Sequence, residues 1–187
     1  YLKNNCAKNI IVAAPTGVAS INAGGVTLHS LFQLPFYPFL PTKQGKEEFL
    51  RQLKFNATRL QLLRKMELLV IDEISMVRCD VMDAIDTILR SVKRNYDQPF
   101  GGVQLLCIGD LYQLPPVARH QEWSILQEFY ESPFFFDSLA IKEQLPLLIE
   151  LDKIYRQKED SFVRLLNKVR NNQMEEDDYE DLLLRYD

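Results

Sequence analysis

Asp72 and Glu73 stand side by side where the apolar run Leu68-Leu69-Val70-Ile71 stops. Some forty residues later a second run, Leu105-Leu106-Cys107-Ile108, ends at Gly109-Asp110, and Gln113 follows four residues past the glycine. Two adjacent carboxylates and a lone amide form a recognisable chemical set. One carboxylate can hold a magnesium ion, directly or through water, and its neighbour can polarise an attacking water. An amide can donate to a phosphate oxygen or orient that water. Nucleotide hydrolysis is the chemistry these residues suit. The plainer account of Asp72 is a cap on the following helix or a partner for a core arginine.

Other residues could contact a ligand. Pro15-Thr16-Gly17 leaves an apolar run, and a hydroxyl with exposed amides at a helix start favours an anion such as a nucleic-acid phosphate. The alternative is a simply capped turn. His29 and Ser30 could touch a phosphate or a base, although a lone histidine is more often structural. Phe36, Tyr37 and Phe39 could stack on unpaired bases, but a proline-rich loop packing its own aromatics is the favoured account. Arg156 in Asp152-Lys153-Ile154-Tyr155-Arg156-Gln157 could stabilise charge on a transferring phosphoryl group, or be an ordinary surface arginine. Asp110 could hold its own loop by accepting backbone amides, and Pro115-Pro116 stiffen the chain just after Gln113.

These residues must be positioned by particular elements. Asn9–Ala14, Leu68–Asp72 and Val103–Gly109 read as buried strands, and Leu147–Leu151 as a further candidate. Thr16 can cap a helix from Gly17 to Ala23, which Gly24-Gly25 would end. A turn or short helix follows at Thr27–Phe32, then a loop over residues 33–45. Helical spacing covers Glu47–Leu53 and Ala57–Leu63. Val81, Ile85, Ile88, Leu89 and Val92 define an amphipathic helix. Gln98–Gly102 reads as a loop and Trp123–Tyr130 as a short helix, with Phe134-Phe135-Phe136 packing inward. Phe162–Val169 is a helix with Phe162, Leu165, Leu166 and Val169 on one face. Strands alternating with helices predict a mostly parallel α/β sheet, with the polar residues at the carboxyl ends of its strands, where open sheets bind ligands.

The 187 residues, 47% hydrophobic and 26% charged, fit a globular domain with a substantial core. No apolar run is long enough to span a bilayer and no signal peptide opens the chain, so a membrane partner is not expected. Cys6, Cys79 and Cys107 are far apart and form no CxxC, which disfavours structural zinc and favours an intracellular, reduced setting. The net charge of −4 is uneven: residues 175–187 carry −6 and the remainder +2. Starting at Tyr1 without methionine and ending within a charged helical pattern, the chain reads as a piece of a larger protein.

Taken together the segments resemble the petite-integration-frequency (Pif) family of superfamily 1B DNA helicases, and more loosely the RecD-like helicases. Ala14-Pro15-Thr16-Gly17-Val18-Ala19 through Gly24-Gly25-Val26-Thr27-Leu28-His29-Ser30 is similar to motif Ia and its sequel. Ile71-Asp72-Glu73-Ile74-Ser75-Met76 resembles motif II, the Walker B element. Asp83 to Gly102 resembles the signature region, Gly109 to Val117 motif III, and Tyr155-Arg156-Gln157 motif IV. The resemblance implies a RecA-like first motor domain over 1–157, with a helical segment over 158–187 leading toward a second RecA-like domain. It implies ATP and Mg2+ as cofactors, with Asp72 on the metal, Glu73 as catalytic base, Gln113 sensing the γ-phosphate and Arg156 contacting it. Thr16, Gly17, His29 and Ser30 would face single-stranded DNA. The implied activity is 5′-to-3′ translocation and unwinding of duplexes and forks, in the cytoplasm, nucleus or mitochondrion according to host.

One departure stands out. No G-x-x-x-x-G-K-[ST] phosphate loop occurs in these residues. The stretch alone is therefore expected to be inactive, and an exposed sheet edge could lead it to self-associate. A catalytically dead RecA-like adaptor for nucleic acid or protein remains the alternative. Another kind of P-loop motor, or a Rossmann-like domain, fits the motifs less well.

Overall fold

A computed structural model describes residues 7–151 and 160–183, which divide into two compact units, Tyr1–Pro146 and Leu147–Asp187. The expected domain boundary at 157/158 lies outside the described residues.

The first unit is built on four parallel strands in the order β2-β1-β3-β4: β1 Ile10–Ala14, β2 Val26–Thr27, β3 Leu68–Ile71 and β4 Gln104–Cys107. β3 is central and apolar throughout, and all four of its residues are buried, as a strand covered on both faces requires. β4 alternates, with Leu105 and Cys107 packed on the core while Gln104 and Leu106 are exposed. The two-residue β2 is too short to leave a periodic signature. Leu147–Leu151, expected as a strand, forms none. These residues adopt no regular structure and their leucine and isoleucine side chains are largely exposed. An extended segment becomes a strand only where its backbone pairs, and no described strand pairs with it.

Helix starts follow their caps. Thr16 Oγ1 accepts from Ala19 N and opens α1 Gly17–Asn22, and Thr27 Oγ1 accepts from Ser30 N and opens α2 Leu28–Phe32. Thr42 and Asn56 similarly cap α3 Lys43–Gln52 and α4 Ala57–Lys65. α3 thus begins four residues before the expected Glu47, because its first turn is polar. α6 His120–Leu126 also begins earlier than expected, and α7 Leu139–Glu143, capped by Ser138, was not anticipated. Phe136 does not pack inward. It is exposed and stacks on Phe134 at 5.3 Å, while Phe135 reaches the core.

The long helix α5, Cys79–Lys93, carries the apolar stripe Met82, Ile85, Ile88 and Leu89, all fully buried. It also buries Asp80, Asp83 and Asp86. Asp80 Oδ2 accepts from Phe39 N at 2.9 Å, and Arg78 grips the same carboxylate at 2.6 and 3.0 Å. Asp83 accepts from Leu139 N at 3.0 Å, Ala140 N at 2.9 Å and the Tyr130 hydroxyl at 2.8 Å, satisfying the first turn of α7 from outside. Asp86 takes Phe100 N at 2.6 Å and Arg90 Nε at 2.8 Å. Gly101 completes this last junction: a Cβ there would fall 2.7 Å from Leu89 O, and its φ of 63° suits glycine. Burial holds the thiol of Cys79 up at about 12 and that of Cys107 at about 11, as inert structural cysteines.

In the second unit, α8 Asp160–Arg170 and α9 Glu176–Leu183 are joined by Lys168 Nζ, which donates to Glu175 at 2.9 Å and to Asp178 at 2.9 Å. Of the expected apolar face of α8, Leu165 is buried while Leu166 and Val169 are exposed. No helix of the described residues is long and apolar enough to cross a membrane.

Burial pushes the Asp83 carboxyl up, with the two amides and Tyr130 offsetting part of that. Asp83→Asn keeps the shape but places an NH2 against those donors. Urea denaturation is expected to show a loss of about 2–3 kcal/mol, and an unchanged midpoint would remove Asp83 as the anchor of α7.

Candidate functional site

The parallel register decides where the chemistry gathers. Ala13 pairs with Ile71, and Ile71 with Cys107, so β1, β3 and β4 end level with one another. Thr16, the Asp72-Glu73 pair and the segment carrying Gln113 therefore leave the sheet on one rim. Main-chain bonds continue past the strands: Asp72 N donates to Ala13 O at 2.9 Å, Ile108 N to Ile71 O at 2.8 Å, and Ile74 N to Ile108 O at 2.9 Å.

Asp72 and Glu73 are each partly buried, and Asp72 Oδ1 accepts from Glu73 N at 3.1 Å. Asp72 therefore does act on the turn behind it, but through one oxygen only. Glu73 sits in the left-handed region at φ 53°, opening a 3₁₀ turn at Ile74–Met76. For a non-glycine residue that conformation costs roughly 1–2 kcal/mol, the kind of strain that collects at functional positions. The segment after β4 is pressed against this turn. A Cβ on Gly109 would lie 2.9 Å from Ile74 Cγ2 and 3.0 Å from Ile74 N, so any side chain there would push the Ile74 turn aside.

Beyond Gly109, Asp110 organises its loop as the sequence anticipates. Oδ1 accepts from Tyr112 N at 3.0 Å, Oδ2 accepts from Gln113 Nε2 at 3.3 Å, and the Asp110 carbonyl accepts from Gln113 N at 3.0 Å. Gln113 is exposed on the rim. Arg156 lies outside the described residues.

Beside the rim is a cleft of about 270 Å³ lined by Thr16, His29, Phe36, Tyr37, Arg78 and Val117, among others. Thr16 and His29 thus share one cavity, whereas Gly17 and Ser30 are exposed next to it. Gly17 has open space where a Cβ would point, so packing within the chain does not require glycine there. His29 stacks on Phe36 with centroids 5.7 Å apart and rings 13° from parallel. Its pKa is lowered, first by burial and then by Arg78, with Asp80 opposing. Of the three loop aromatics, Phe39 packs locally, edge-on to the buried Phe49, while Tyr37 is half exposed and its hydroxyl donates to Gln52. Phe36 departs from the expected local packing, with 91% of its surface exposed.

Arg78 and Asp80, which shape the cleft wall, escape a sequence reading. An acid in the first turn of a helix is expected from the dipole alone, and nothing in the spacing shows that Asp80 reaches back to Phe39.

Known proteins share this fold. The family model of PIF1-like helicases matches residues 2–180. The chain belongs to the PIF1-like helicase family. It is 36% identical over 179 residues to the ATP-dependent DNA helicase PIF1 of Candida albicans, covering 94% of this chain and 19% of that protein. To the human ATP-dependent DNA helicase PIF1 it is 36% identical over 165 residues, covering 86% and 23%. The crystal structure of Bacteroides Pif1 bound to ssDNA superposes with a TM-score of 0.90 at 51% identity, over 97% of this chain and 41% of that one. Bacteroides Pif1 in complex with ADP-AlF3 and ssDNA gives 0.89 at 51% identity, over 96% and 40%. The chain spans about a fifth of the length of these curated relatives and about two fifths of these structures. The RecA-like parallel sheet expected from the motifs is the fold observed.

The lowered pKa of His29 sets the sign of a pH effect. An unfolded histidine takes its proton near pH 6.5, before the folded one does, so stability is full above that value and declines as pH falls through the lowered pKa. His29→Gln is expected to flatten thermal stability between pH 7 and 5 relative to wild type. Parallel curves would show that His29 is not held neutral.

Proposed function

We propose that this chain forms the hydrolytic rim of an ATP-dependent DNA helicase motor in the whole protein. The observation that carries the reading is the level ending of β1, β3 and β4, which brings the acidic pair and the amide loop to one rim. The donor set suits magnesium. Among the described residues no three His, Cys, Asp or Glu side chains cluster into a metal cage. A hard cation held through one or two carboxylates would suit this donor set, with Asp72 as the residue to hold it.

In this reading Asp72 holds Mg2+ and Glu73, set apart by its left-handed backbone, accepts the proton of the attacking water. Gln113, steadied by Asp110, donates to the terminal phosphate and distinguishes ATP from ADP. Arg156 contributes positive charge to the same phosphate. When bound, the magnesium neutralises charge developing on the phosphate oxygens. Thr16, Gly17, His29 and Ser30 face single-stranded DNA, with neutral His29 offering a hydrogen bond rather than a charge. Relatives described as ATP-dependent DNA helicases, one structure captured with ssDNA and ADP-AlF3 and another described as unwinding forked dsDNA, support translocation on single-stranded DNA and fork unwinding by the parent protein. The 5′-to-3′ direction rests on the family resemblance of the motifs. A second RecA-like domain completes the motor, and the setting is intracellular. Since no phosphate loop lies within these residues, they turn over ATP negligibly when isolated.

The test uses the full-length parent. Wild type is expected to show DNA-stimulated ATP hydrolysis. Glu73→Gln is expected to bind ATP normally yet turn over at least about 100-fold more slowly, and Gln113→Ala to lose about 10-fold or more in kcat. Normal turnover by Glu73→Gln would take the base role from Glu73. An inert wild-type parent would favour the adaptor reading.

A further inference from the structure

Ser75 is wholly buried, and its Oγ has no hydrogen-bond partner among the described residues. Buried hydroxyls are nearly always paired, and leaving one unpaired destabilises the state that contains it. Its surroundings make the vacancy informative. Ser75 lies two positions past Glu73, inside the 3₁₀ turn that the strained Glu73 backbone opens. Across from it runs the segment leaving β4: Ser75 N is 3.3 Å from where a Cβ on Gly109 would stand, and Ile74 N is bonded to Ile108 O. Main-chain oxygens nearby are mostly engaged. Those of Glu73, Ile74, Ile108 and Asp110 accept from Met76, Val77, Ile74 and Gln113. Within Ile108–Asp110 the Gly109 carbonyl is the main-chain acceptor left over among the described residues.

We propose that Ser75 is a positioning residue for hydrolysis, its hydroxyl donating to the Gly109 carbonyl when the Gln113 loop closes on the terminal phosphate. The bond fastens the turn that aims Glu73 to the loop that carries Gln113, so base and phosphate sensor adopt the reactive arrangement together. In the open state the bond is unmade, and the unpaired hydroxyl raises that state relative to the closed one. This rests on the nucleotide-hydrolysing reading above.

Full-length parent protein is compared as wild type, Ser75→Ala, Gln113→Ala and the double variant. Removing a hydroxyl unpaired in the open state is expected to leave the nucleotide-free Tm unchanged or raised. The same change is expected to lower DNA-stimulated kcat by about 10-fold at unchanged KM for ATP. Affinity for ADP–aluminium fluoride falls by a similar factor while affinity for ADP does not. In the Gln113→Ala background, Ser75→Ala slows turnover by less than about twofold, because both changes break one unit. Wild-type kcat in Ser75→Ala, additive losses in the double variant, or a loss matched by a fall in the nucleotide-free Tm would each overturn the proposal. A wild-type parent without DNA-stimulated hydrolysis would instead remove the functional reading, and this inference with it.

Discussion

A carboxylate taken out of water must find donors, because the desolvation of an unpaired ion exceeds what a small domain can tolerate. α5 buries three of them. Each is answered by a main-chain amide from a different part of the chain: Phe39 before α3, Phe100 in the turn before β4, and Leu139 with Ala140 at the start of α7. One helix thereby fixes three segments that lie far apart in the chain. Arg78 and Arg90 complete the charge balance at two of the three sites, and Tyr130 serves the third.

The site depends on this arrangement at one remove. β3 is short, and the helix it leads into begins only seven residues after Asp72. Between them lie the left-handed Glu73 and one 3₁₀ turn. Such strain persists only where the flanking structure over-determines it. Here β3 fixes one side through the Asp72 N to Ala13 O bond, and the anchored start of α5 fixes the other. The close fit of Gly109 on Ile74 then passes that rigidity to the neighbouring loop.

Much of this was legible from residue order. The runs at Ile10, Leu68 and Leu105 are apolar, the first stopped by Pro15 and the others by Asp72 and by Gly109-Asp110, and composition identifies such strands well. Thr16 was readable as a cap because its hydroxyl stands next to a glycine and a helical stretch, and Asp110 as a loop anchor because a short carboxylate reaches amides two residues on. Other features were not readable, for physical reasons. β2 exists only because β1 is beside it. α7 has five residues and takes part of its first-turn satisfaction from Asp83, 56 positions earlier. The expected strand at Leu147 had every compositional mark of one, yet pairing is a property of the neighbour. Ser75 looked like an ordinary member of its motif, and only burial without a partner set it apart.

The anchoring aspartates have a further consequence for how such a sequence can drift. Each reads its target through a backbone N–H, which every amino acid except proline supplies. The side chains at Phe39, Phe100, Leu139 and Ala140 therefore answer only to their own packing, and their identity carries no information for the anchor. The aspartates have no such latitude, since a glutamate would overreach and an asparagine would present a donor to a donor. Divergence in this scaffold should thus be one-sided, with α5 holding its acids while the segments it restrains change composition freely and exclude proline at the anchored amides.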